Sequence, residues 1–245
     1  MHALTTLSLL DVWEDGLMQS PAQRAVELLS AAYPEASREW FAMQSIGQRD
    51  GRLLMLRAEL WGSRMPAVVP CPACRERLEL MLDTRDLLQQ EQLHGEEAES
   101  LEVAGYRVEF RLPNSEDFSA AARVADDLEA CRRLVLENCV LSAQLGEAPV
   151  SAAQLPPDVV AGIDERMANA DPLADIQLAL TCPTCEEHWS SPFDIVSYLW
   201  TEIEVWAWRI LSDVHTLARA YAWSERAILN LSPLRRQFYL ERVGA

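Results

Sequence analysis

Lysine is missing: all 21 basic residues among the 245 are arginine. A lysine Schiff base and a phosphate-loop lysine are therefore excluded. Glycine is scarce, with 9 residues, and no G-x-G-x-x-G, phosphate loop or G-x-S-x-G occurs. The four histidines, His2, His94, His188 and His215, make no H-E-x-x-H pair. Nothing argues for a Ser–His–Asp triad, which would not be local in sequence. Adjacent acids such as Asp126-Asp127 and Glu186-Glu187 point apart on a helix or strand and read as solvated. These absences point away from an enzyme and from a small-molecule substrate.

Long apolar runs are missing too. No stretch approaches about 18 uninterrupted apolar residues, so no membrane span is expected. Met1-His2-Ala3-Leu4 carries no basic leader, and Asp11, Glu14 and Asp15 interrupt any signal-peptide core. The expectation is a cytoplasmic protein, where stable disulfides are rare.

What is present is acidic. The chain holds 38 Asp and Glu, for a net charge of −17. Residues 71–194 carry 25 acids and 9 arginines (net −16), against 8 and 6 in residues 1–70 (net −2) and 5 and 6 in residues 195–245 (net +1). Such a charge repels phosphate backbones, so broad nucleic-acid binding is not expected. The acidic middle reads either as a face for a basic partner or as a solvated surface. With 49% hydrophobic residues the chain is long enough to bury a core.

Four of the six cysteines form two matching knuckles, Cys71-Pro72-Ala73-Cys74 and Cys182-Pro183-Thr184-Cys185. A two-residue gap aims both thiolates at one ion, and two such pairs complete a closed tetrahedral zinc site. Leu78, Leu80 and Leu82 alternate with Glu79, Met81 and Asp83 after the first knuckle. Ile176, Leu178 and Leu180 alternate with Gln177 and Ala179 before the second. Each knuckle is thus expected at the tip of a β-hairpin, as in a zinc ribbon, although 107 residues separate the halves. An iron centre or redox dithiols remain alternatives to structural Zn²⁺, and His188 is a spare ligand that reads as a bystander. Cys131 and Cys139 read as small buried hydrophobes.

Elsewhere, Ser20-Pro21 and Ser45 with Gln48 predict helix starts, with ends at Tyr33-Pro34 and near Trp61-Gly62. Gln89–Glu102, with Glu96, Glu97 and Glu99, reads as an exposed loop. Leu101–Leu112 predicts a hairpin turning at Ala104-Gly105, and Asn114-Ser115 a helix running to about Leu145. Pro156-Pro157 opens a helix ending near Asp171-Pro172. Steps of three and four from Val196 to Leu217 predict a long helix, with Ser224 and Ser232 capping two more. Five of the eight tryptophans lie between Trp189 and Trp223. The stripe serves either as core or as a subunit contact, with Trp200, Trp206, Trp208, His215, Tyr221 and Trp223 as candidates.

The segment from His215 through Leu217-Ala218, Tyr221, Trp223-Ser224 to Leu231, with Arg235-Arg236 and Tyr239-Leu240, is similar to the end of a known family. It resembles baseplate hub and tail-assembly proteins of contractile phage tails and extracellular contractile injection systems. Arg111-Leu112-Pro113-Asn114-Ser115-Glu116-Asp117 is similar to a passage before their central helix, and some members carry two C-P-x-C knuckles. The resemblance implies a non-enzymatic baseplate protein binding other subunits of the complex, made in the cytoplasm and joining a tail-like particle. A transient assembly chaperone, or a zinc-ribbon adaptor of the transcription machinery, is the alternative.

The expected fold is α+β, mainly helical, with a split four-cysteine zinc ribbon and an inserted helical subdomain. Its parts are residues 1–66 (helical), 67–88 (first half-ribbon), 89–172 (inserted acidic hairpin plus helical subdomain), 173–194 (second half-ribbon) and 195–245 (helical). On this reading the metal clip joins distant segments and its loss undoes the fold widely.

Overall fold

The computed structural model describes residues 4–88, 98–124 and 126–243. Side-chain caps set the first four helices. Thr5 accepts from the Ser8 amide and starts α1 (Thr6–Gly16). Ser20 and Gln23 form a capping box for α2 (Pro21–Ala32), which ends at Tyr33 as expected. Ser37 caps α3 (Arg38–Met43), too short for periodicity to reveal. Ser45 caps α4 (Ile46–Trp61), and Gly62 ends it at φ +89°, where a side chain would be strained. The chain then enters an antiparallel hairpin, β1 (Arg64–Pro70) and β2 (Arg77–Asp83), and the short α5 (Thr84–Leu88).

The middle departs from the sequence expectation. β3 (Glu99–Val103) and β4 (Tyr106–Phe110) do turn at Ala104 and Gly105, both left-handed. Glu96, Glu97, His94 and His2 lie outside the described residues, while Glu99 opens β3 and accepts from Arg166 rather than sitting in a loop. The helix capped by Asn114 does not reach Leu145. It stops as α6 (Ser115–Ala121), and a fresh cap at Asp127 starts α7 (Leu128–Cys139). Residues 140–145 then become β5 (Val140–Leu145), paired to β4 with Val108 opposite Ala143. The Arg111 amide donates to the Cys139 carbonyl and fixes this change of direction. Pairing to a waiting sheet edge outweighs local helical periodicity here. With β6 (Ala148–Pro149) the order is β3-β4-β5-β6. The insertion, expected as an acidic hairpin plus a helical subdomain, is thus a four-stranded sheet with helices.

The helix α8 (Pro157–Ala170) covers this sheet, and Val108, Phe110, Ala143, Val159 and Ile163 make its core. A second hairpin follows, β7 (Ile176–Thr181) and β8 (His188–Phe193). The chain finishes with α9 (Ile195–Tyr221), α10 (Glu225–Leu229) and α11 (Pro233–Val243). The larger core joins α1, α2, α4 and α9 through Leu9, Leu28, Leu53, Leu199, Ile203 and their neighbours. Trp200 belongs to it, so close to α1 that a Cβ on Gly16 would lie 2.2 Å from the indole.

Buried polar contacts dock the insertion on α4. Asp171, just before β7, accepts from the Gly47 amide at 2.9 Å. Arg49 pairs with Asp50 at 2.7 Å and donates to Ser115 at 3.0 Å. At the far end of α4, Arg57 ties the helix to the start of β1 and to α9, donating to the Gly62 and Arg64 carbonyls at 2.5 and 2.7 Å and bidentately to Glu202 of α9. The Tyr198 hydroxyl donates to the Pro66 carbonyl at 2.9 Å. Helices α4 and α9 thereby hold the bases of both hairpins.

Candidate metal centre

The two knuckles have the same local architecture. The Cys71 amide donates to the Glu76 carbonyl at 2.8 Å, and the Cys182 amide to the Glu187 carbonyl at 2.9 Å. The Arg75 and Glu186 amides each donate at 3.0 Å to the carbonyl of the first cysteine. Arg75 and Glu186, each directly after the second cysteine, take left-handed φ values of 63° and 59°. Pro72 and Pro183, with fixed φ and no amide hydrogen, suit the first turn position in both.

The hairpin tips meet. All four Sγ atoms lie within 4.8 Å of one another, with Cys71 to Cys185 at 3.7 Å and Cys74 to Cys182 at 3.6 Å. Sulfurs placed about 2.3 Å from a tetrahedral Zn²⁺ are about 3.8 Å apart, so these edges fit an ion. They are far longer than a disulfide, and all four cysteines are free. Cys71 and Cys182 are buried and Cys74 and Cys185 exposed. Leu78, Leu80 and Trp189 pack around the buried pair.

The charge balance favours a thiolate at one corner. Burial raises the Cys182 thiol, but the amides of Cys185 and Thr184, with the Cys74 and Cys185 thiols, outweigh it and lower its pKa. At Cys185 the Glu187 amide lowers, but the surrounding thiols and burial raise the pKa. A divalent metal held by all four as thiolates would offset half of their negative charge and release the thiol protons. Four soft donors leave no open position for water, so the set suits a structural ion rather than hydrolytic chemistry.

Among the described residues no His, Asp or Glu joins the cluster. His188 lies on the rim, its Nδ1 2.7 Å from the Glu186 carbonyl oxygen. Of the other pair, Cys139 is buried and held up to about 12 by burial and Asp117, while Cys131 is half-buried against carbonyls of residues 121 and 124.

The tryptophan-rich candidates part company. Trp200 is core, with the Arg24 guanidinium 4.4 Å from its ring centroid. Trp206 is half-buried against the main core, and Tyr221, Trp223 and Tyr239 form a half-buried ring cluster. Trp208, 61% exposed, and His215 face solvent. Sequence reasoning missed Arg57 and Asp171, whose roles rest on partners 145 and 124 residues away. The signal for Arg57 was a charge one turn beyond Leu53 on the apolar stripe of α4.

A family model described as T4 bacteriophage base plate protein matches residues 19–200, which include both knuckles and the insertion between them. Neither the curated proteins nor the solved structures give a match. No helix among the described residues is long and apolar enough to cross a membrane.

Proposed function

The chain belongs to the T4 bacteriophage base plate protein family, and from that premise we propose that it is a non-enzymatic structural or assembly subunit of the baseplate of a contractile tail-like injection system. The match over residues 19–200 carries the reading. On it the protein is made in the cytoplasm, works at a phage tail-like particle and binds other baseplate subunits, as a relative of the hub and tail-assembly members.

The four thiolates of Cys71, Cys74, Cys182 and Cys185 take one structural Zn²⁺ that joins the halves of a split ribbon, residues 67–88 and 173–194. The ion supplies no chemistry beyond holding the tips together. The acidic insertion and the exposed Trp208 and His215 are the surfaces offered to partners. The proximity of the four Sγ atoms supports the metal, and the solvent position of Trp208 supports its part in a contact.

The test is removal of the chain from a producing cell, with isolation of the particles and quantitative mass spectrometry of their subunits. The expected result is loss of baseplates, restored by the wild-type chain but not by a Trp208→Glu variant. Presence at fixed copy number in mature particles marks a permanent subunit, and absence from them marks a transient assembly chaperone. Normal particles assembled without the chain would overturn the reading.

A further inference from the structure

Two surfaces far apart in sequence match each other in shape class and in charge. The first is the outer face of α11. This helix lies against α9 through Arg236, Tyr239 and Leu240, with Arg236 buried beside Asp213 at 3.4 Å. Its opposite face leaves Leu234 82% and Phe238 50% exposed, one turn apart. Arg235 and Arg242 flank them, the Arg242 guanidinium 5.1 Å from the Phe238 ring centroid. Arg235 and Arg242 are exposed on α11 together with Glu241, while Arg236 is turned inward to Asp213.

The second surface is an apolar groove of about 590 Å³ lined by α6, α7 and α8. Phe118, Leu128, Val135, Leu136 and Met167 line it, with Phe118 50% and Leu128 79% exposed. Its bank is acidic. Glu129 and Asp164 line it against one arginine, Arg132, which Asp164 engages across the groove, and Asp126 and Asp127 precede the exposed Leu128.

Apolar side chains one helical turn apart, set among arginines, are what an acidic-banked apolar groove takes up. Both surfaces leave large apolar groups in water, which association would remove. We infer that the outer face of α11 of one copy docks in the α6–α7–α8 groove of a second copy, head to tail. The occupant is a second copy because this chain itself supplies both the basic amphipathic helix and the acidic groove. The two faces differ, so the contact is heterologous, and further copies add in a ring or a line. The inference rests on these two surfaces and not on the baseplate reading, so either can fail alone.

The experiment measures the mass of the purified full chain by sedimentation, from about 1 to about 100 µM and from about 0.05 to 0.5 M salt. The wild type is expected to associate with rising concentration and to dissociate with rising salt. Leu128→Arg and Phe238→Glu, both at exposed positions, are each expected to weaken self-association at least about 10-fold with melting unchanged. Mixing the two variants is expected to restore a 1:1 pair, because one keeps an intact helix and the other an intact groove. A monomer at every concentration, association indifferent to both substitutions, or a mixture that stays monomeric would each overturn the proposal.

Discussion

The carboxylate of Asp171 lies 2.9 Å from the backbone amide of Gly47, although 124 residues separate them. This contact sets the start of the second hairpin on the helix that leads into the first. It needs a residue without a side chain, since a Cβ on Gly47 would stand 1.9 Å from the Asp171 carboxylate. The amide is near the N-terminus of α4, where the helix dipole favours a carboxylate. Gly47→Ala is expected to cost about 2 kcal/mol through overpacking and loss of that bond. Chemical denaturation measures it, and an unchanged midpoint would show that Asp171 moves aside freely.

Arg57 is 3% exposed and ties α4, the start of β1 and Glu202 of α9. Its pKa is raised further above its ordinary value, chiefly by the hydrogen bond to Glu202. Arg57→Ala removes a buried charge from two carbonyls and a carboxylate, with an expected loss of about 3–5 kcal/mol. Glu202→Gln, which keeps one acceptor, is expected to cost less than half of that. Equal losses from the two would mean that the carbonyl contacts contribute nothing.

Because Arg57, Tyr198 and Asp171 hold the hairpin bases, a metal bound by the four cysteines would be needed only at the tips. Cys182→Ser is therefore expected to release the ion and expose Trp189, shifting its emission to longer wavelength. The main core should still melt in one cooperative step, lower by about 5–10 °C for a loss of roughly 3 kcal/mol. A chelator on the wild type should reproduce this. This local effect is smaller than the global collapse expected from a metal clip between segments 107 residues apart. A variant that keeps its full metal content would remove Cys182 from the ligand set.

Asp50 is raised to about 6 by burial, against the lowering effect of Arg49 and with help from Asp194 and Asp171. A carboxyl with a raised folded pKa binds its proton more tightly in the native state. Its contribution to stability is therefore full below about pH 4 and is lost as pH rises through about 6. The wild type is expected to lose roughly 2 kcal/mol relative to Asp50→Asn between pH 4.5 and 7.5. Urea unfolding of both proteins across that range measures the difference, and parallel curves would place the titration elsewhere.

Local chemistry was legible in the sequence wherever one short segment sufficed. The C-P-x-C repeats, the alternating strands beside them, the caps at Ser20, Ser45, Asn114 and Ser224, and the Ala104-Gly105 turn follow from neighbours a few residues away. The sequence by itself thus determined two equivalent thiol pairs at hairpin tips and a long apolar-striped helix after them. Only the tertiary structure decided that the four sulfurs lie within 4.8 Å, because that depends on Gly47–Asp171 and Arg57–Glu202 docking both hairpins on α4 and α9. It also turned residues 140–145 into a strand, since the edge of β4 offers hydrogen bonds that helical periodicity cannot foresee. It divided the tryptophans as well: Trp200 and Trp208 stand on one helix, but α1 and Arg24 cover the first and leave most of the second to solvent.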